Sequence, residues 1–181
     1  PDINPYIRPI GTSPEEWCDT KISEMEETIL SIGADQIGCF IAEPILASGG
    51  VIVPPPGYHQ RSLQLCKKHD IIYISDETVT GFGRLGHWFS SKEVFDIQPD
   101  IITCAKGLTS GYLPMGAAII SDSLIDDIKS TAGSQPFTNG YTYSCHPVAA
   151  KAALTNIDII SRDKILEHVR DISPHFQNRL R

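Results

Sequence analysis

No apolar run in this 181-residue chain approaches the roughly 18 residues that mark a membrane span. The N-terminus, Pro1-Asp2-Ile3-Asn4-Pro5, also lacks the apolar core of a secretory signal, so no membrane association is expected. Positive charge is scarce: 15 Lys and Arg stand against 22 Asp and Glu, a formal net charge of −7. That balance argues against a nucleic-acid partner, which selects clustered cations. No CxxC pair occurs, and the five cysteines at 18, 39, 66, 104 and 145 are odd in number and widely spaced. Neither a disulfide framework nor a structural zinc site is favoured, and the cytosol is the expected compartment. The six histidines show no metal-ligand spacing, so no metal site is expected. Cys39 and Cys104 lie inside apolar runs and are expected to be buried small hydrophobes. What is present is ordinary for a globule, 41% hydrophobic and 20% charged, of a length that suits one domain.

The pattern along the chain is that of an α/β protein. Residues 13–33 form a helix with a marked start: Ser13 as N-cap, Pro14 at the first helical position and Glu16 completing a capping box. Cys18, Ile22, Met25, Ile29 and Ile32 make one apolar stripe before Gly33 ends it. Cys39-Phe40-Ile41-Ala42 reads as a buried strand closed by Glu43-Pro44. Pro54-Pro55-Pro56-Gly57 is a rigid connector rather than a polyproline ligand, and residues 58–69 are helical with Leu63 and Cys66 inward. Further strands are expected at 71–75, 101–105 and 116–120, and helices at 147–162 and 163–181, the last interrupted by Pro174. The expected fold is a mostly parallel sheet with helices on both faces. The third and fourth strands are joined too closely for a helical crossover, so that pair is expected to be antiparallel.

In an open parallel sheet, ligands bind outside the carboxyl ends of the strands. Three strands deliver an ionisable residue there: Glu43, Asp76 and Lys106. Each alone reads as a solvated charge, but the three together, one a lysine boxed between Ala105 and Gly107, point to chemistry. A lysine partly desolvated at that edge is a candidate nucleophilic amine for Schiff-base formation. A carboxylate on a neighbouring strand is what a protonated ring nitrogen needs. Gly81-Phe82-Gly83-Arg84-Leu85-Gly86 matches the dinucleotide fingerprint letter for letter. Its context is wrong, because five residues separate it from the strand and His87-Trp88-Phe89 does not open an amphipathic helix. The glycines are expected to let a loop bend beside a ligand or a partner chain.

The run from Tyr73 to Lys106, YISDETVTGFGRLGHWFSSKEVFDIQPDIITCAK, resembles the signature of class III aminotransferases, pyridoxal-phosphate enzymes of fold type I. The segments IAEPILASGGVIVPPPGY, GLTSGYLPMGA and NGYTYSCHPVAA are similar to the same family and lean toward its omega-amino-acid:pyruvate branch. The resemblance implies that Lys106 holds the cofactor aldehyde and that Asp76 pairs with its ring nitrogen. It implies that Thr142 binds the cofactor phosphate from the neighbouring subunit of a homodimer with a shared active site. Glu43 matches an acid beside the cofactor that in some members pairs with a movable arginine, and no such arginine can be assigned here. The family usually has Val or Ile where this chain has Thr78, packed on the cofactor ring, and Val79 falls near the ring oxygen. The implied substrates are small amines or omega-amino acids and keto acids such as pyruvate.

Two rival readings remain. An aminomutase or decarboxylase uses the same lysine and aspartate, and a dinucleotide-binding module would use the Gly81–Gly86 loop. The chain opens on Pro1 and stops at Leu180-Arg181 with no capping glycine. With the resemblance, that leads to the expectation that residues 1–181 are part of the large cofactor-binding domain. An N-terminal segment and a C-terminal small domain are expected to lie outside them, leaving this piece alone inactive.

Overall fold

The computed structural model describes residues 3–180 except 134, 136 and 137. Helix α1 spans Pro14–Ile32 and starts with both halves of the capping box in place. The Glu16 N–H donates to Ser13 Oγ at 3.1 Å, and the Ser13 N–H donates to Glu16 Oε2 at 2.7 Å. Gly33 ends the helix at φ 96°, in backbone space that costs glycine little. Trp17, Cys18, Met25 and Ile29 are buried along it, whereas Ile32, the last of the expected stripe, is exposed.

Four strands follow in the order β1 (Cys39–Ala42), β2 (Ile72–Asp76), β3 (Ile101–Cys104) and β4 (Ala117–Ile120), which is also their order across the sheet. The first two pairings are parallel and the third is antiparallel, as the short β3–β4 connection requires. Helix α2 (Tyr58–Lys68) crosses from β1 to β2, and short α3 (Ser90–Glu93) lies between β2 and β3. Helices α4 (Asp122–Ala132), α5 (Pro147–Arg162) and α6 (Ile165–Leu180) complete the chain.

The core lies between the sheet and the α1–α2 pair. Met25, Ile29, Leu63, Leu65, Cys66 and Tyr73 close it, with Phe40 packed against them. Each such apolar side chain contributes about 1.5–3 kcal/mol relative to exposure. Ion pairs Arg61–Asp19 and Lys68–Glu26 also join α2 to α1, but at exposed positions where such pairs contribute little.

Three expectations need correction. Cys39 is exposed, because alternate β1 residues point to the face away from this core, where Ile41 is 57% exposed. Cys104 is buried as expected, and all five cysteines are free. Helix α6 is not interrupted: Pro174 sits inside it. A proline removes one backbone donor, and here the turns on both sides carry the helix through, with the Ser173 hydroxyl bonding the Val169 carbonyl. Helix α4 was not anticipated, although Ser121 caps it by accepting from the Leu124 N–H. Its half-buried Leu124, Ile125 and Ile128 have helical spacing.

Candidate active site

Because β1, β2 and β3 are parallel neighbours, their carboxyl ends lie side by side. Glu43 directly follows β1, Asp76 is the last residue of β2, and Lys106 stands two residues beyond β3. The row read from the sequence is therefore present.

Asp76 is held by its neighbours. Its Oδ1 accepts from the Thr78 N–H at 3.0 Å and from the Thr103 hydroxyl at 3.1 Å. Partial desolvation pushes the carboxyl upward. The Thr78 side chain and backbone, the Thr103 hydroxyl and the Lys106 charge outweigh that effect and hold it below the usual aspartate value. Asp76 is thus kept ionised, with the Lys106 charge close enough to act on it.

Lys106 is exposed, not desolvated as the sequence suggested. The chain turns sharply beyond β3, and a three-residue 3₁₀ turn, Lys106–Leu108, lifts the side chain away from the sheet. Its φ of 40° lies in left-handed space that a lysine rarely adopts. Gly107 is needed just after it, since a Cβ there would meet Phe82 Cβ at 2.9 Å.

The residues divide between two cavities. Glu43 and Asp76 line one of about 370 Å³ with Phe40, Tyr58 and His59. Lys106 and Val79 line another of about 300 Å³ with Phe82, Arg84 and Val169. Glu43 is half-buried, and its Oε2 accepts from the Ala47 N–H at 3.1 Å, which closes the turn after β1. Thr78 and Val79 are half-buried, and Thr78 acts on Asp76 as described. Thr142 lines neither cavity and lies in an exposed run from 138 to 146, where Tyr141 and Tyr143 are also exposed. A larger cavity of about 640 Å³ opens beside Trp88, Ile119 and Arg170, and none of the six candidate residues lines it. Chemistry rather than volume marks the site.

The glycine loop is a series of turns with no helix opening from it, so it is not built as a dinucleotide cradle. The Phe82 N–H bonds the Trp88 carbonyl and the Gly83 N–H bonds the His87 carbonyl, folding the loop on itself. Its bends lie beside α6 of the same chain. A Cβ at Gly83 would meet Leu166 at 3.1 Å, a Cβ at Gly86 would collide with Arg170, and the Arg170 guanidinium bonds the Gly86 carbonyl.

Two buried polar groups behind the site were missed as such. Glu77 is fully buried and accepts five hydrogen bonds. Thr80 and both the N–H and hydroxyl of Ser90 bond Oε2, while the N–H and hydroxyl of Ser91 bond Oε1. Among the described residues no cation pairs with it, and these five hydrogen bonds compensate for burying the carboxylate. An acid following an acid, thirteen residues before a Ser-Ser pair, was the only hint. His59 bridges the Pro44 carbonyl and the Tyr73 hydroxyl, both at 2.9 Å. Burial pushes the imidazole down, against smaller opposing effects of the Pro44 carbonyl and Glu77.

Comparison with known proteins places these features in a family. Residues 4–181 match the aminotransferase class-III family. The putrescine–pyruvate aminotransferase of Pseudomonas aeruginosa is 43% identical over 168 residues, covering 92% of this chain and 36% of that protein. An omega-aminotransferase structure from Paracoccus denitrificans aligns with a TM-score of 0.91 at 37% identity, covering 96% of this chain and 39% of that one. A PMP-bound aminotransferase structure from Vibrio fluvialis aligns with a TM-score of 0.91 at 39% identity, covering 97% and 39%. The chain therefore spans well under half the length of the proteins it matches.

Proposed function

Because this chain belongs to the class III aminotransferases, we propose that it is part of the cofactor-binding domain of a pyridoxal 5′-phosphate-dependent transaminase. The proposed reaction moves an amino group from an amine or omega-amino acid to pyruvate or a similar keto acid. One observation carries this reading: Asp76 and Lys106 stand at the carboxyl ends of adjacent parallel strands, with the lysine charge acting on a carboxylate already held ionised.

The donor set fits the group. The phosphate-bearing pyridine aldehyde supplies, when bound, a carbon that takes up amines and a ring that draws electrons from the substrate Cα. Lys106, exposed just beyond β3, would be the amine that bonds that carbon, and when free it would carry a proton as general base and acid. Asp76, kept ionised by Thr78 and Thr103, would hold a proton on the ring nitrogen. Thr78, beside Asp76, would pack on the ring, and Val79, in the Lys106 cavity, would lie near the ring oxygen. The Thr78 hydroxyl takes part in holding Asp76, so its role extends beyond apolar packing. Glu43, tied to Ala47 and sharing the Asp76 cavity, would lie beside the cofactor.

Thr142 belongs to the phosphate site of a neighbouring copy in a homodimer. Support comes from its exposed setting, with Tyr141 at 83% and Tyr143 at 82%. Aromatic side chains left in water at that level suit an interface. The five free thiols suit the cytosol. Among the described residues no helix is long and apolar enough to cross a membrane.

Borohydride trapping of the full-length protein, followed by peptide mass mapping, is the test. Cofactor label at Lys106 is expected, and label on any other lysine rejects the assignment. Ping-pong amino exchange between amines and keto acids is expected from the same preparation. Cofactor turnover without that exchange would favour an aminomutase or decarboxylase.

A further inference from the structure

Helix α5 presents Ala149, Ala153 and Ile160 as its buried stripe. Asn156, three residues after Ala153 and four before Ile160, falls on that same face. A polar side chain on an apolar helix stripe needs partners, and Asn156 finds all of them in one place. Its Nδ2 donates to the Gly107 carbonyl at 2.8 Å and to the Leu108 carbonyl at 3.1 Å. Its Oδ1 accepts from the Ser110 hydroxyl at 2.7 Å. One side chain, 46–49 residues away in sequence, thus makes three bonds to the segment just after Lys106.

That segment needs support. Its 3₁₀ turn is only three residues long, and Lys106 enters it at φ 40°, while Ser110 leaves it at φ 49°. Two non-glycine residues in left-handed space persist only where surrounding contacts determine them. Leu108 and Thr109, between them, are buried, so the turn is clamped from beneath while the lysine side chain projects outward.

We propose that Asn156 is a positioning residue that sets the backbone at Lys106, and through it the place and direction of the Lys106 amine. This inference rests on Lys106 being the cofactor lysine. It concerns backbone geometry alone and adds no chemical step.

The experiment uses full-length protein carrying Asn156→Ala, which removes all three bonds, and Ser110→Ala. The second removes only the exposed hydroxyl that bonds Asn156 Oδ1 and leaves both Nδ2 bonds in place. Three quantities are measured. They are amide hydrogen exchange at residues 108–110 in cofactor-free protein, the pH midpoint of the cofactor's visible absorbance in loaded protein, and kcat with KM. For Asn156→Ala, exchange is expected to rise about tenfold, since a loss of one net hydrogen bond is worth about that factor. The absorbance midpoint is expected to move and kcat to fall by about 10–100-fold, the scale of a misplaced reacting group. KM for the keto acid is expected to stay within about twofold. Ser110→Ala is expected to shift the same quantities in the same direction by less.

Wild-type exchange and an unmoved midpoint in both variants, even with a lower melting temperature, would show that Asn156 only docks α5 and would overturn the proposal. Borohydride label on a lysine other than 106 would instead remove the functional reading. The exchange data would then still report whether Asn156 holds the turn.

Discussion

The Thr103 hydroxyl donates to Asp76 Oδ1 at 3.1 Å, between residues paired directly across the β2–β3 junction. The same Thr103 accepts the Glu77 N–H at its carbonyl, at 2.8 Å. One threonine therefore joins Thr78 in holding the candidate catalytic aspartate ionised and also fixes the start of the loop that follows it.

Replacing Thr103 with Val keeps the β-branch and removes the hydroxyl. Asp76 has a depressed folded value, so its contribution to stability is present above the ordinary aspartate pKa near ~3.9 and is lost as pH falls through the lower folded value. Thr103→Val is expected to move the Asp76 titration upward and the acid limb of unfolding to higher pH. Its cost near neutrality is about 1 kcal/mol, below the roughly 1.5–3 kcal/mol of a bond to a charged group, because Asp76 is partly exposed to solvent. NMR titration of the Asp76 carboxyl checks it; an unmoved midpoint would mean that Thr103 is not what holds the charge.

Glu77 should rank among the most sensitive positions. Glu77→Leu strands two backbone N–H groups and three hydroxyls in a site with no water access, and is expected to cost more than about 4 kcal/mol. Glu77→Gln keeps the shape but turns an amide N–H₂ against fixed donors, and is expected to cost about 2 kcal/mol. Urea unfolding of the full-length protein measures both. A leucine variant within about 1 kcal/mol of wild type would contradict the network.

His59 supplies a second pH dependence. The Pro44 carbonyl can only accept, so Nε2 carries the proton and Nδ1 accepts from the Tyr73 hydroxyl, which makes the native imidazole neutral. Its folded value is depressed, so the associated stability is fully present above the ordinary histidine pKa near ~6.5 and declines as pH falls toward the folded value. His59→Phe leaves the carbonyl and hydroxyl unpaired and is expected to cost about 2–4 kcal/mol at pH above ~7. The gap between variant and wild type should narrow on going to pH about 5. A constant gap would mean that His59 is not the titrating group.

Gly86→Ala tests the seating of α6. Gly86 has φ 78°, and a side chain there meets Arg170. A loss of about 1–3 kcal/mol is expected, read as a lower melting temperature of the full-length protein. A neutral substitution would show that α6 does not depend on this close approach.

Sequence alone determined whatever depends on near neighbours. The α1 boundaries follow from Ser13, Pro14, Glu16 and Gly33, all within the helix or one residue from it. The strands follow from short apolar runs, and the antiparallel β3–β4 pair follows from the brevity of its connection. Glu43, Asp76 and Lys106 could be aligned in advance because each ends or closely follows its own strand, and parallel pairing brings strand ends together.

Tertiary structure decided whatever depends on which face is covered and on donors far along the chain. Cys39 shares an apolar run with Phe40, yet period-two alternation sends it to the face opposite the core. Lys106 follows an apolar, half-buried strand, yet it lies exposed in a 3₁₀ turn. Pro174 is a helix breaker by local rule, but one missing donor does not outweigh the turns around it. Glu77 and Asn156 are polar letters without a local pattern. Four of the five Glu77 bonds come from 13–14 residues away and all three Asn156 bonds from 46–49 residues away, and these exist only once the chain has packed. Periodicity along a chain encodes which way a side chain points, and only packing settles what it meets there.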